Sequence, residues 1–206
     1  MTGFSEDDRR FMRRAMELAE GGLYSTPPNP AVGCVIERWG QAVGEGFHAR
    51  AGGAHAEIAA LESAGPAATG ATAYVTLEPC SHHGRTPPCV DALIAAGVSR
   101  VVVAMRDPNP AVDGGGLARL AAAGIATDVG LMAEQAAEMN RGFVSRMSRG
   151  RPWVTLKLGA SLDGRTALAN GTSKWITGEP ARADVQRLRS RASAVVTGSG
   201  TVVADD

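Results

Sequence analysis

An α/β fold with a partly parallel sheet is predicted for this 206-residue chain by three observations. Short β-rich runs alternate with Ala-rich helical stretches from residue 55 onward, the pattern of helices layered on a sheet. The run Arg100 to Met105 (RVVVAM) is almost wholly apolar, which suits a strand covered on both faces. A hydrophobic content of 44% supplies enough material for a sizeable core.

Ser5-Glu6-Asp7-Asp8 reads as a helix start, with a serine cap, acids in the first turn and an acid three residues on. Phe11, Met12, Ala15, Met16, Leu18 and Ala19 recur at helical spacing, and Gly21-Gly22 stops the helix. Pro27-Pro28-Asn29-Pro30 is a rigid loop. Ala31 to Glu37 and Gln41 to Phe47 are β-rich runs joined by Trp39-Gly40, which predicts an antiparallel hairpin. A helix is expected over His55 to Ala64 and a strand over Thr72 to Leu77. Pro88 sits well in the first turn of a helix running to Gly97. After Arg100 to Met105 come a short helix (Leu117 to Ala123), a weaker strand (Ala126 to Val129) and one amphipathic helix over Met132 to Met147.

Ser148 to Pro152 has linker composition. Beyond it the spacing predicts strands at Trp153 to Leu158 and Ala194 to Thr197, with a helix from about Pro180 to Arg191. Roughly 55 residues are too few for an independent α/β domain, so the second unit is expected to be incomplete. An incomplete unit leaves apolar surface exposed, which favours association into a homo-oligomer.

Acidic and basic residues balance to zero and no basic run stands out, which argues against a nucleic acid as the main partner. No apolar run is long enough to span a bilayer, so no membrane partner is expected. Three cysteines behind a charged, amphipathic N-terminus argue for a reducing, cytoplasmic setting.

The residues from His48 to Cys89 hold all four histidines and two of the three cysteines. One imidazole (His55) and two thiolates (Cys80, Cys89) can fill three corners of a tetrahedral zinc site, and catalytic zinc keeps the fourth for water. Glu57, two residues after the histidine, is placed to handle that water's protons. His-x-Glu followed by Pro-Cys and a second Cys is the zinc-deaminase signature, with a glutamate that is not a ligand. A site of two thiolates and one imidazole is near neutral, so the glutamate is needed as base. A structural zinc instead needs a fourth protein ligand, such as His82 or His83.

Other residues keep two readings each. Cys34 lies inside an apolar strand and reads as a buried small hydrophobe. His48 either reaches the site or caps and packs. Asn29 either presents its amide to a substrate ring or is a turn asparagine. His82, His83 and Arg85 crowd the loop between the cysteines, where Arg85 and an imidazole suit a phosphate.

TAYVTLEPCSHHGRTPPC (Thr72–Cys89), with PNPAVGCVI (Pro28–Ile36), HAE (His55–Glu57) and DPNP (Asp107–Pro110), closely resembles the bifunctional riboflavin-biosynthesis deaminase/reductase family. LKLGASLDGRTA (Leu156–Ala167), SKWIT (Ser173–Thr177) and VVADD (Val202–Asp206) resemble the start of its reductase half. The resemblance implies a cytidine-deaminase-like three-layer α/β/α domain with a mixed sheet at residues 1–148. The start of a dihydrofolate-reductase-like α/β domain would follow at 149–206.

The implied substrate is 2,5-diamino-6-(5-phosphoribosylamino)pyrimidin-4(3H)-one, hydrolysed at its ring amine to 5-amino-6-(5-phosphoribosylamino)uracil. His55, Cys80 and Cys89 are the implied Zn²⁺ ligands and Glu57 the proton carrier. Asn29, His48, His82 and Arg85 are implied to line the substrate pocket. For the reductase half, which uses NADPH, Gly159, Trp175, Thr201 and Asp205 would touch the nucleotide, and Ser173 and Arg189 the substrate. Because the reductase pattern ends early, the expectation is a deaminase beside a partial reductase. Two rivals stand beside this: another zinc deaminase of bases, nucleosides or tRNA, and a non-catalytic zinc module.

Overall fold

The computed structural model describes residues 3–83, 87–110, 112 and 114–205. By contact they divide into two units, Met1–Trp153 and Val154–Asp206.

In the first unit, α1 (Glu6–Glu20) begins as its serine and acids predict. The Ser5 hydroxyl accepts from the Asp8 N–H at 3.0 Å, and the Asp8 carboxylate accepts from the Ser5 N–H at 2.9 Å. Two helix-end donors are thereby satisfied reciprocally. β1 (Gly33–Arg38) and β2 (Gln41–Phe47) form the hairpin, turning at Trp39 and Gly40, both at positive φ. Next come α2 (Ala56–Ala64), β3 (Thr72–Val75), α3 (Cys89–Ala96), β4 (Arg100–Val103), α4 (Gly115–Ala122) and β5 (Ala126–Val129).

The strands make one sheet in the order β2-β1-β3-β4-β5. β1 is antiparallel to both its neighbours, while β3, β4 and β5 run parallel. Alternation along the central strands divides the core between two faces. Cys34, Ile36, Ala73, Val75, Val101 and Val103 join Ala60 of α2, Leu93 of α3 and Leu120 of α4 in one cluster. Val35, Tyr74 and Val102 join Phe11, Met12 and Met16 of α1 in the other. These are the three layers, and each fully buried valine or leucine adds roughly 1.5–3 kcal/mol.

One contact sets where the site can form. A Cβ at Gly46 would stand 2.5 Å from both the Ala56 carbonyl oxygen and the Ala60 nitrogen. Only glycine lets the backbone of α2 lie that near β2, and the first turn of α2 carries Glu57.

The expected single helix over Met132 to Met147 is corrected to two, α5 (Ala133–Met139) and α6 (Arg141–Arg149). The break falls at Asn140, at φ −107° and ψ 23°. Its buried side chain bonds the backbone of Ala31, a contact across the fold that local periodicity does not encode.

In the second unit, α7 (Glu179–Ser190) matches the predicted helix, and α8 (Ser199–Asp205) is additional. The strands expected at Trp153 to Leu158 and Ala194 to Thr197 do not form among the described residues. A β-rich run becomes a strand only when a neighbour completes its hydrogen-bond ladder. Here Val154, Leu156, Leu158, Val195 and Val196 are exposed, and none of these segments has a paired neighbour. No helix among the described residues is long and apolar enough to cross a membrane.

Candidate active site

Three chain segments converge at the carboxyl end of β3, beside the place where the sheet changes from antiparallel to parallel. Open α/β sheets bind ligands outside the carboxyl ends of their strands. β3 leads into Leu77, Glu78 and Cys80, α2 presents His55 as its N-cap and Glu57 in its first turn, and α3 opens on Cys89. Both helices point their N-terminal partial charge at the cluster, where it favours thiolate and carboxylate.

His55 Nδ1 lies 3.1 Å from Cys89 Sγ and 3.6 Å from Cys80 Sγ. All three donor atoms fall within 4.8 Å of one another. Tetrahedral zinc, with Zn–N about 2.0–2.1 Å and Zn–S about 2.3 Å, sets N···S separations of roughly 3.6 Å. The Cys80 separation matches this value and the Cys89 separation is about half an ångström short of it, so the residues fit the ion after a small outward shift of Cys89. Among the described residues the group has three members, and His82 and His83 do not join it. That is the ligand count of catalytic zinc rather than of structural zinc.

The electrostatics suit the same chemistry. Burial pushes the Glu57 carboxyl up to about 7, against the opposing pull of its own backbone N–H and of His55. The Cys80 thiol is pulled down, first by a hydrogen bond from Cys89 and then by His55 and the Cys89 N–H. The Cys80 bond and burial push Cys89 the other way. The contact with Cys80 raises His55. A metal that displaces these protons meets a deprotonated donor set.

A cavity of about 490 Å³ opens onto the cluster. Asn29, His48, His55, Glu57, Cys80 and His82 all line it. His48 is buried, His82 is exposed, and Arg85 lies outside the described residues. His48 packs edge-on against His55, with ring centroids 5.4 Å apart. Cys34 is buried in the core, as expected of a small hydrophobe.

In the second unit, Trp175, Ser173, Arg189 and Thr201 are exposed and Gly159 is partly exposed. Arg182 lies over the Trp175 ring, 4.4 Å from its centroid. Asp205 ends α8.

Sequence reasoning overlooked several lining residues. Glu78 is buried and accepts from four backbone N–H groups, those of Asp107, Gly114, Gly116 and Leu117, at 3.0–3.3 Å. The available signal was an acid directly after an apolar strand, in a chain with a Gly114-Gly115-Gly116 run able to supply donors. Asp107 also lines the cavity, and burial raises its carboxyl to about 6. Phe143, Arg146 and Met147, one face of α6, form a further wall. Their i, i+3, i+4 spacing was legible, but what that face meets was not.

Residues 5–105 match the cytidine and deoxycytidylate deaminase zinc-binding region, and residues 152–206 match the RibD C-terminal domain. The chain is 61% identical to the riboflavin biosynthesis protein RibD of Escherichia coli over 97% of its own length and 54% of that protein's. It superposes on a solved structure of Acinetobacter baumannii RibD with a TM-score of 0.93 at 57% identity, covering 97% of this chain and 56% of that one. A solved deaminase/reductase from Thermotoga maritima gives a TM-score of 0.91 at 44% identity, covering 97% and 57%. The chain spans about half the length of the curated relatives it matches. With a zinc-type donor set beside a buried glutamate and this identity along nearly all of its length, the chain belongs to the RibD family.

Proposed function

We propose that this chain hydrolytically deaminates 2,5-diamino-6-(5-phosphoribosylamino)pyrimidin-4(3H)-one to 5-amino-6-(5-phosphoribosylamino)uracil, a step of riboflavin biosynthesis. The observation that carries the reading is the convergence of His55, Cys80 and Cys89 within 4.8 Å beside a buried Glu57, at the floor of a pocket. Zinc held by those three residues supplies a Lewis acid that makes a water nucleophilic at neutral pH.

Glu57 carries the protons. As carboxylate it takes one from the attacking water, and as carboxylic acid it delivers it to the departing ring amine, which leaves as ammonia. Burial disfavours the charged form of this carboxyl, which suits it to take up a proton and give it back. Asn29 and His48 orient the pyrimidine. Arg85 and His82 are assigned to the phosphate side of the ligand. Within residues 152–206, Gly159, Trp175, Thr201 and Asp205 are assigned to NADPH, and Ser173 and Arg189 to the reductase substrate. Because the described members of this set are largely open to solvent, the chain is expected to deaminate without reducing the ribosyl group.

The test is a mass-spectrometric assay of the zinc-loaded chain with the diaminopyrimidine ribotide, with and without NADPH. The reading predicts replacement of the ring amine by oxygen in both samples, with the sugar unreduced. An untouched ribotide beside turnover of cytosine, a nucleoside or tRNA adenosine would move the assignment to another deaminase.

A further inference from the structure

Asn140 is buried at the break between α5 and α6 and reaches back to Ala31, 109 positions earlier. Its Oδ1 accepts from the Ala31 N–H at 2.8 Å, and its Nδ2 donates to the Ala31 carbonyl at 2.9 Å and to the Ala136 carbonyl at 3.4 Å. One side chain thus engages both backbone groups of Ala31, as a neighbouring strand would. Ala31 follows Pro30 in the loop whose Pro28, Asn29 and Pro30 form one wall of the cavity. α6 starts directly after Asn140 and supplies Phe143, Arg146 and Met147 to another wall. No proline lies between Met132 and Met147 to account for the helix break. The side chain at the break spans two walls of the pocket.

The geometry points to Asn140 as a positioning residue for the substrate: it clamps Ala31, and so fixes the Asn29 loop at a set distance from the α6 wall. Asn140 touches no reacting atom. Its effect reaches the substrate through Asn29, and the inference rests on the deaminase reading of the pocket. A merely structural clasp lowers stability and leaves substrate binding alone. A positioning clasp raises KM and does so only while Asn29 is present.

The test uses the full chain, zinc-loaded, as N29A, N140A and the double variant N29A/N140A, with kcat, KM and zinc content measured on each. Asn140→Ala is expected to keep zinc, raise KM about tenfold and leave kcat within about threefold, the pattern of lost binding rather than lost chemistry. In the N29A background the same substitution is expected to change KM by less than about twofold, since the two residues act as one unit. Asn140→Ser, whose hydroxyl can keep the bond to the Ala136 carbonyl while losing Ala31, serves where N140A does not fold. A folded variant with unchanged KM, or KM effects that simply multiply in the double variant, overturns the role of Asn140. If the unsubstituted chain itself leaves the ribotide untouched, the deaminase reading fails and takes this inference with it, which is a separate result.

Discussion

His48 Nε2 stands 3.3 Å from the amide nitrogen of Asn29, while its Nδ1 stands 2.9 Å from the Ala54 carbonyl oxygen. A carbonyl can only accept, so Nδ1 carries the proton and Nε2 accepts from the Asn29 amide. The Asn29 NH₂ is thereby committed to His48, and on the proposed deaminase reading its carbonyl oxygen is the group left to meet a ring N–H. Replacing His48 with alanine frees the amide to rotate. Steady-state kinetics should show KM up about tenfold, the cost of roughly one hydrogen bond, with zinc content unchanged. Loss of zinc in this variant would place His48 in the metal site instead.

Asp8 ties α1 to the sheet. Its carboxylate accepts from Arg100 at 2.6 Å and from the Tyr74 hydroxyl at 2.9 Å. Burial acts to raise the carboxyl, but the Arg100, Ser5 and Tyr74 hydrogen bonds outweigh it and hold Asp8 at about 2. The folded value lies below the unfolded one, so this stabilisation is full above about pH 4 and is lost as pH falls towards 2. It amounts to about 2 kcal/mol. Acid melts of the native chain and Asp8→Asn should differ at pH 6 and converge near pH 2. A gap that stays constant through that window would contradict the assignment.

Gly46→Ala tests the close approach of α2 to β2. The added methyl meets the Ala56 carbonyl and the Ala60 backbone at 2.5 Å, so the helix must shift. Overpacking of this kind costs about 1–3 kcal/mol. Because α2 also carries Glu57 and begins directly after His55, zinc affinity should fall with stability. A calorimetric melt and a chelator competition read both effects.

Glu78 organises the loop that leads into α4. Removing its carboxylate leaves three buried N–H donors, those of Asp107, Gly116 and Leu117, and the part-buried one of Gly114 without their acceptor. Glu78→Ala should lose about 2–4 kcal/mol in denaturant unfolding, and Glu78→Gln, which keeps one acceptor oxygen, should lose less.

Much of this was legible in the sequence because the deciding forces were local. The Ser5–Asp8 capping box, the Trp39–Gly40 turn and the apolar run of β4 are set by neighbours a few residues apart. Cys80 and Cys89 flank one loop, and His55 and Glu57 share one helix start, so the candidate site was visible as spacing. The break at Asn140 was not, because its cause is Ala31, a hundred residues away in the chain. Glu78 was missed for the same reason, since its donors lie beyond residue 106. The strands expected at Trp153 to Leu158 and Ala194 to Thr197 show the opposite error. Their composition is right for β structure, but composition cannot supply a pairing neighbour.

The measurement that tests the central claim most directly is metal content and turnover of Glu57→Gln beside the native chain, on the same ribotide. Glutamine fills the same space but cannot carry a proton. The account predicts unchanged zinc on His55, Cys80 and Cys89, with turnover lowered by about 10²–10⁴, the usual worth of general acid–base catalysis. A Glu57→Gln protein that keeps both its zinc and its native rate would contradict it.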